Sequence, residues 1–211
     1  MIRYASLLLM LLSLTLTASP LRAERLITYA IDPDKTRISF NWTYLGATSP
    51  AGSFSNARGF IYGNVDQPEA SWAEVYIPVR TLHTFMPLID RQLLGSGDFF
   101  KPREYPDMYF RSNGIMHVDK QDKSFSLTGT LTVNGITRPV ILSAKAGSSG
   151  NSPFADSAQT ASLTATTSFR RSEFGMTRLL GMVGDEMKVS LMVHAVAVNP
   201  AAAPAALSST P

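Results

Sequence analysis

Three histidines are the side chains in this sequence best suited to bind a metal or transfer protons, but their spacing gives no compact site. His83, His117 and His194 lie far apart and form no HxH or HExxH motif. The chain has no cysteine, which excludes disulfides, thiolate metal sites and a cysteine nucleophile. No GxSxG elbow, phosphate-binding loop or GxGxxG motif occurs. We therefore expect no metal, no cofactor and no catalytic residue.

Two pairs of carboxylates are close enough in sequence to raise the question of acid–base chemistry. Asp32 and Asp34 flank a proline in a turn, and Asp119 and Asp122 lie in a charged turn between two strand patterns. Solvated charges in turns are much commoner than a catalytic pair of carboxylates. We interpret all of them as turn residues, so the sequence gives no positive support for an enzyme.

Alternation of apolar and polar residues dominates the middle of the chain. From Ser124 to Val133, one face is apolar and the other is mostly serine and threonine. Asn134-Gly135 follows, a dipeptide whose tolerance of positive φ predicts a tight hairpin. About eight such segments, mostly joined by short turns, predict an all-β domain that is either a sandwich or an up-and-down barrel.

One stretch near residues 80–100 has the period of a helix instead. Apolar residues recur there at a spacing of three to four, at Leu82, Phe85 or Met86, Ile89 and Leu93. A single helix inserted in a β chain must pack on a sheet or close one end of a barrel. We interpret this segment as the plug of a barrel.

The N-terminus has the layout of a cleavable secretory signal peptide. Arg3 precedes an uncharged apolar run from Ala5 to Ala18, and Ala23 would be the last residue removed. A membrane anchor is the alternative, but this run is shorter than the ~20 residues of a spanning helix. We therefore expect residues 1–23 to be removed and the protein to be secreted, in a Gram-negative cell to the periplasm.

The C-terminus is expected to lie outside the fold as well. Residues 199–211 combine proline, alanine and serine without a pattern, which is typical of a disordered tail. Residues 24–198 then form one domain, long enough for a sizeable hydrophobic core.

Charge argues against a nucleic-acid partner. The chain has 19 basic and 16 acidic residues, and loss of Arg3 and Arg22 with the signal peptide leaves 17 basic against 16 acidic residues. No block of lysine and arginine could neutralise a run of phosphates. No second stretch is long enough to span a bilayer, so we expect no stable membrane insertion.

Several segments, taken in order, resemble the YceI-like polyisoprenoid-binding proteins. They are YAIDPDKTRISFNWTYLGATSPAGSFSNARGFI, DFFKPREYPDMYF, LTGTLTVNGITRPVIL, RRSEFGM and VGDEMKVSL, which together cover nearly all of residues 29–196. The resemblance implies an eight-stranded antiparallel, lipocalin-like barrel with a helical insertion. It also implies a non-catalytic carrier of an isoprenoid, quinone-like or similar long-chain amphiphilic lipid.

Aromatic and large aliphatic residues are the candidates for the wall of such a lipid site, although aromatic residues fill ordinary cores equally well. The residues expected to line it are Phe40, Trp42, Phe54, Phe60, Leu88, Leu93, Phe99, Phe100, Leu131, Phe169, Phe174 and Leu191. Two other functions stay open, namely an interaction module with a filled barrel and an enzyme acting on a bound lipid. A homodimer is compatible with the sequence.

Contacts to a polar head group are expected at four residues. The family often has histidine where this chain has Tyr44 and Asn134, and again in the helical stretch at Gln92 or Leu93. Arg170 and Arg171, after a strand, could meet an anionic head group, with pairing to nearby acidic residues as the alternative. The expected head-group contacts are therefore Tyr44, Asn134, Arg170 and Arg171.

Overall fold

The barrel is seen in a computed structural model that describes residues 25–119, 121–147, 152–155 and 158–198, apart from the side chains of residues 48–51. The signal peptide expected at residues 1–23 and the tail expected at residues 199–211 lie outside the described residues, so both stay predictions. Residues 24–198, apart from the short gaps, hold all the strands described below.

Ten antiparallel strand segments form a single sheet that closes on itself. In chain order they are β1 (Leu26–Ile31), β2 (Arg37–Tyr44), β3 (Ala47–Phe54), β4 (Arg58–Asn64), β5 (Trp72–Pro78), β6 (Asp107–Asp119), β7 (Ser124–Val133), β8 (Ile136–Ala146), β9 (Thr160–Arg170) and β10 (Glu186–Val198). Their order in the sheet is β1-β4-β5-β6-β7-β8-β9-β10-β2-β3. An additional pairing between β1 and β10 closes the barrel.

The ten segments make eight barrel strands because two of the strands are interrupted. One edge of β10 pairs with β2 through residues 188–192 and with β1 through residues 195–198. The partners β3 and β4 follow in the same way, since β3 pairs with β2 and β4 with β1. The predicted eight-stranded antiparallel barrel is therefore confirmed, and a two-sheet sandwich is excluded.

The predicted hairpin at Asn134-Gly135 is also confirmed. Both residues have positive φ, 52° and 75°, and Val133 pairs directly with Ile136 across the turn. This is the geometry of a two-residue hairpin whose twist matches the flanking strands. A side chain at Gly135 would also collide with the ring of Tyr105, 2.6 Å from the position of its Cβ atom.

The helix is shorter than predicted. It is α1 (Pro87–Gly95), preceded by a 3₁₀ turn at Val79–Thr81 and an irregular segment. Proline favours the first turn of a helix and disfavours helical backbone in the residue before it, and Met86 is accordingly extended. The predicted apolar helical face is therefore wrong before Pro87, and only Ile89 and Leu93 share it.

Three apolar clusters occupy the inside of the barrel. The first contains Leu93 of α1 together with Phe40 and Phe54, the second surrounds Phe110 and Phe125, and the third contains Tyr29. Among the described residues, no helix is long and apolar enough to cross a membrane.

Candidate functional site

The space between the apolar clusters is an unfilled cavity of about 210 Å³. Every strand segment except β4 contributes to its wall, and α1 lies across one end. Nine of the twelve residues predicted to line a lipid site line this cavity: Phe40, Trp42, Phe54, Leu93, Phe99, Phe100, Leu131, Phe169 and Leu191. Their contact with a ligand stays a prediction.

One wall of the cavity is a chain of aromatic rings. The ring centroids of Phe40 and Phe54 are 5.4 Å apart, and Phe100 packs edge-on against Phe54 at 5.6 Å. Trp42 extends the chain at 6.0 Å from Phe40. These are ordinary distances for interacting aromatic rings, and the wall they form is stiff because each ring is held by its neighbour.

Phe60 does not line the cavity, so this part of the prediction is wrong. Its neighbour Ile61 belongs to the inner cluster around Tyr29, whereas the Phe60 ring lies 6.2 Å from that of Tyr62. Side chains alternate between the two faces of a strand, which places Phe60 and Tyr62 on the outer face. Both faces of β4 carry large apolar residues, so alternation alone left the choice open.

Leu88 is the second error, because its side chain is 71% exposed. It lies on α1 next to Ile89, but the residues of α1 that line the cavity are Ile89, Gln92 and Leu93. Phe174 is the third residue that was predicted to line the cavity and does not. It is fully buried and packs edge-on against Phe169 at 5.2 Å, so it stands behind the cavity wall instead of in it.

Three of the four polar residues of the wall, Thr36, Thr167 and Arg171, bond backbone carbonyls, whereas the fourth, Gln92, is exposed. The Thr36 hydroxyl donates a hydrogen bond to the His194 carbonyl at 3.2 Å, and the Thr167 hydroxyl donates to the Ile141 carbonyl at 2.8 Å. Arg171 is also fully engaged with carbonyls, as described below. The exposed wall of the cavity is consequently apolar throughout.

Arg171 is a buried structural cation, 3% exposed. Its guanidinium donates hydrogen bonds to four backbone carbonyls, at distances of 2.6 to 3.1 Å: those of Met176, Arg178, Val183 and Gly184. Burial lowers the pKa of Arg171 from its ordinary value, and the charge of Asp185 opposes that shift. The planar guanidinium therefore holds the loop of residues 176–184 against the barrel.

Neither of the two roles considered for Arg171 in the sequence describes it fully, because its donors meet carbonyls and not carboxylates. Asp185 instead accepts hydrogen bonds from the backbone and hydroxyl of Ser172, at 2.9 and 2.7 Å. Burial alone would raise the pKa of Asp185, but these bonds, with the charges of Arg171 and Arg170, hold it below its ordinary value. Arg170 itself is exposed at the end of β9.

The other two expected head-group residues lie away from the cavity wall. Tyr44 is exposed at the end of β2, where it forms a backbone bridge with Val183. Asn134 is a clamp: its amide donates to the Phe99 carbonyl at 2.6 Å, and its side-chain oxygen accepts from the Lys101 backbone at 3.1 Å. Asn134 therefore ties the β7–β8 hairpin to the segment after α1.

Two groups of lining residues were missed in the sequence. The first group lies on the strands, whose inner face was not fully assigned to a ligand, and includes Ile38, Val75, Ile77, Val189 and Val193. The second group comprises Met176, Leu179 and Val183, in an irregular segment that carries no periodic signal. Gln92 of α1 and Leu179 both line the cavity and are exposed to solvent. The mouth of the cavity therefore lies between α1 and residues 176–184.

The groups best suited to catalysis are engaged elsewhere. Within the described residues, no group of three or more histidine, aspartate or glutamate side chains could hold a metal ion. His83 is exposed and lies 3.4 Å from the carboxylate of Asp90. Asp32 and Asp119 accept hydrogen bonds from the backbone of their own turns, which agrees with their interpretation as turn residues.

A closed barrel with an apolar internal cavity defines a class of proteins that bind small hydrophobic molecules. Residues 29–195 match the YceI-like domain, and the chain belongs to this family. A UPF0312 protein of Yersinia pestis is 29% identical over 173 residues, covering 81% of this chain and 87% of that protein. A UPF0312 protein of Azotobacter vinelandii is 25% identical over 170 residues, covering 80% and 86% of the two chains.

Solved structures share the fold at low sequence identity. BcnA of Burkholderia cenocepacia superposes with a TM-score of 0.66 at 19% identity, covering 79% of this chain and 99% of that one. The Campylobacter jejuni YceI protein gives a TM-score of 0.62 at 21% identity, covering 74% and 90%. A polyisoprenoid-binding domain from Saccharophagus degradans gives 0.58 at 13% identity, covering 81% and 98%.

Proposed function

We propose that this protein is a non-catalytic carrier that holds an isoprenoid or a similar long-chain amphiphilic lipid inside its barrel. The observation that carries the proposal is the cavity beneath α1, whose exposed wall is apolar throughout. Transfer of each CH₂ group from water to such a wall gains roughly 0.8 kcal/mol, so a long chain binds without polar recognition. The similar domain from Saccharophagus degradans is a polyisoprenoid-binding domain, which supports the same ligand class.

The orientation of the lipid in the cavity follows from which lining residues have polar atoms available to a head group. Thr36, Thr167 and Arg171 keep their polar atoms bonded to backbone carbonyls, which leaves Gln92 as the polar lining residue that is exposed at the mouth. A polar head group inside the barrel would lose its hydrogen bonds to water without replacement. The chain therefore enters the barrel and the head group stays near Gln92.

Binding without chemistry is supported by the composition of the wall. No histidine, aspartate, glutamate, lysine or serine side chain lines the cavity in the described part of the chain. An enzyme acting on a bound lipid needs an acid, base or nucleophile within reach of the ligand. A barrel filled by its own side chains is disfavoured by the cavity itself.

Extraction with organic solvent followed by mass spectrometry tests the proposal. We expect purified protein to release a long-chain lipid, and the fluorescence of Trp42 to change when farnesol is added. Trp72→Phe leaves Trp42 as the single reporter, since Trp72 lies on the outer face. Repeated recovery of no lipid, with no response of Trp42 to farnesol or to a longer isoprenoid, would contradict the proposal.

A matched pair of substitutions on β10 locates the ligand. Val189 faces the cavity, whereas Val196 is exposed on the outer face of the same strand. Val189→Phe narrows the cavity and should reduce the amount of lipid recovered, and Val196→Phe should not. Equal recovery from both variants would place the lipid outside the barrel.

Export to the periplasm is part of the proposal and rests on the apolar run from Ala5 to Ala18 behind Arg3. Fractionation of cells that express the full chain tests it. We expect a processed form, shortened by about the length of a signal peptide, in the periplasmic fraction. Recovery of the unprocessed chain in the membrane fraction would favour the anchor instead.

A further inference from the structure

The exposed apolar side chains of this protein are concentrated around the mouth of the cavity. In the described part of the chain, fourteen large apolar residues are exposed, and eight of them lie in three short segments, residues 44–45, 85–88 and 179–182. We call these three segments the rim. Contiguous exposed apolar surface of this kind marks an interaction site, whereas scattered single residues do not.

Backbone contacts bring the three rim segments to the same end of the barrel. The Leu45 backbone donates to the Met182 carbonyl at 3.0 Å, which fixes the tip of the β2–β3 hairpin to the loop of residues 176–184. His83 pairs with Ser53 of β3, and the antiparallel direction carries the following residues towards that tip. An ion pair at 3.2 Å between Arg178 and Asp98 joins the loop of residues 176–184 to the segment after α1.

Each rim segment contains one large apolar residue in a costly backbone conformation. Leu45, Phe85 and Leu179 have φ of 48°, 62° and 58°, in the left-handed region that bulky side chains rarely adopt. The other non-glycine residues described with positive φ are asparagine, histidine and lysine. Phe85 is 80% exposed. Strain that presents an apolar side chain to solvent, repeated three times around one opening, indicates a surface selected for contact.

Charge and continuity with the cavity identify the partner. The three segments contain no charged residue, and Arg91, one turn from Leu88 on α1, is exposed and has no ion-pair partner within the described residues. An apolar surface bordered by a cation suits the interface of a phospholipid bilayer, where apolar side chains enter and arginine meets phosphate. The lipid of the proposed function also resides in a bilayer.

We propose that the rim docks on a phospholipid membrane, so that a lipid passes between bilayer and cavity without crossing water. This inference rests on the proposed function for its cargo, but the docking itself is measured without cargo. Contact is peripheral, because the three rim segments are short and α1, which contributes Leu88, has only nine residues.

Sedimentation with vesicles of phosphatidylethanolamine and phosphatidylglycerol tests the docking. The rim variant carries Leu88→Ser and Leu180→Ser, two exposed residues outside the cavity wall. The matched control carries Ile141→Ser and Met192→Ser, which are comparably exposed on the outer wall of the barrel. We expect the rim variant to bind vesicles about tenfold more weakly than wild type, and the control to bind as wild type does.

Two further measurements separate this inference from the proposed function. Farnesol added from solution should bind all three proteins equally, while uptake of solanesol from vesicles should be slowed only in the rim variant. Equal vesicle binding by rim variant and wild type, or none by wild type, would overturn the inference. A wild-type dimer that the rim variant converts to monomer, without vesicle binding, would overturn it too and make the rim a self-interface. Failure of farnesol to bind any of them would overturn the proposed function alone.

Discussion

Aromatic residues form two clusters in this protein, one inside the barrel and one outside, and they differ in what completes them. Outside, on β4 to β6, Tyr62 and Trp72 stack at 3.8 Å, and Arg111 covers the Trp72 ring at 4.6 Å. Inside, the rings of Phe40 and Phe54 pack at 5.4 Å and face an unfilled cavity. The outer rings are covered by neighbouring side chains, whereas the inner rings face empty space on one side.

Polar groups make this difference. Glu74 lies beneath the outer cluster, and the hydroxyls of Tyr62 and Tyr109 each lie 3.4 Å from its carboxylate. Arg111 approaches the same carboxylate at 3.7 Å. Of the four rings of the inner wall, three are phenylalanine and Trp42 alone carries a polar atom, its indole nitrogen, so an apolar ligand suits this wall. Aromatic content alone therefore does not identify a ligand site, since both clusters contain several rings.

The largest difference between the two clusters is expected when a charge is added to each. Leu191→Glu places a carboxylate on the apolar wall of the cavity, and should cost about 3–5 kcal/mol of unfolding free energy and abolish farnesol binding. Phe60→Glu, on the outer face, should cost about 1 kcal/mol and leave binding intact. Urea unfolding and Trp42 fluorescence measure both effects. Equal losses would show that the interior is hydrated.

Removal of one arginine beside each cluster should give a smaller contrast; on the inner side this is Arg171, 6.0 Å from the Phe99 ring of the cavity wall. Arg171→Met leaves four carbonyls without donors and should cost about 3 kcal/mol, because buried groups lose bonds to a charged donor. Arg111→Met removes an exposed cation from the Trp72 ring and should cost about 1 kcal/mol. Urea unfolding again provides the measurement.

Arg171→Lys is the control for this pair. Lysine keeps the charge but lacks the planar fork that reaches several carbonyls, so it should restore little of the lost stability. Full rescue by lysine would mean that Arg171 acts through its charge alone. If Arg111→Met lost as much unfolding free energy as Arg171→Met, the two arginines would contribute equally to stability, which would contradict the expected contrast.

The sequence predicted the antiparallel strands well because alternation and turn chemistry are local signals, whereas the choice of a barrel over a sandwich came from the family resemblance. The Ser124–Val133 pattern and Asn134-Gly135 specify a hairpin without reference to the rest of the chain. The start of the helix was wrong because the 3.6-residue period continued upstream of Pro87, where Met86 is extended. The interruption of two barrel strands was not predicted, since it becomes visible only when β10 is seen to pair with both β1 and β2.

The cavity wall was predictable only in part. Phe40 and Trp42 lie on a clearly alternating strand, so their common face could be assigned. For Phe60 the apolar residues on both faces of β4 concealed the register, and a shift of one residue moves a side chain to the other side of the sheet. The role of Arg171 depends on carbonyls up to thirteen residues away, a tertiary arrangement that no local pattern encodes.

The smallest expected effect is on stability at alkaline pH, and it arises from a tyrosine of the outer cluster. Burial, followed by the charge and hydrogen bond of Glu74, raises the pKa of the Tyr62 hydroxyl above its ordinary value. The folded state therefore favours protonated Tyr62, and its contribution is fully present below the unfolded value of about 10. That contribution is lost as pH rises through the folded pKa.

Tyr62→Phe removes this titration, so the unfolding free energy of the variant should fall less steeply above about pH 10 than that of wild type. Phe169→Leu, a change in the inner cluster, should lower stability at every pH without altering the slope. Urea unfolding at a series of alkaline pH values measures both. Tyr29 and Tyr76 keep raised pKa values in the Tyr62 variant, so part of the slope must persist. An unchanged slope in Tyr62→Phe would show that neither burial nor Glu74 opposes ionisation of Tyr62 in the folded state.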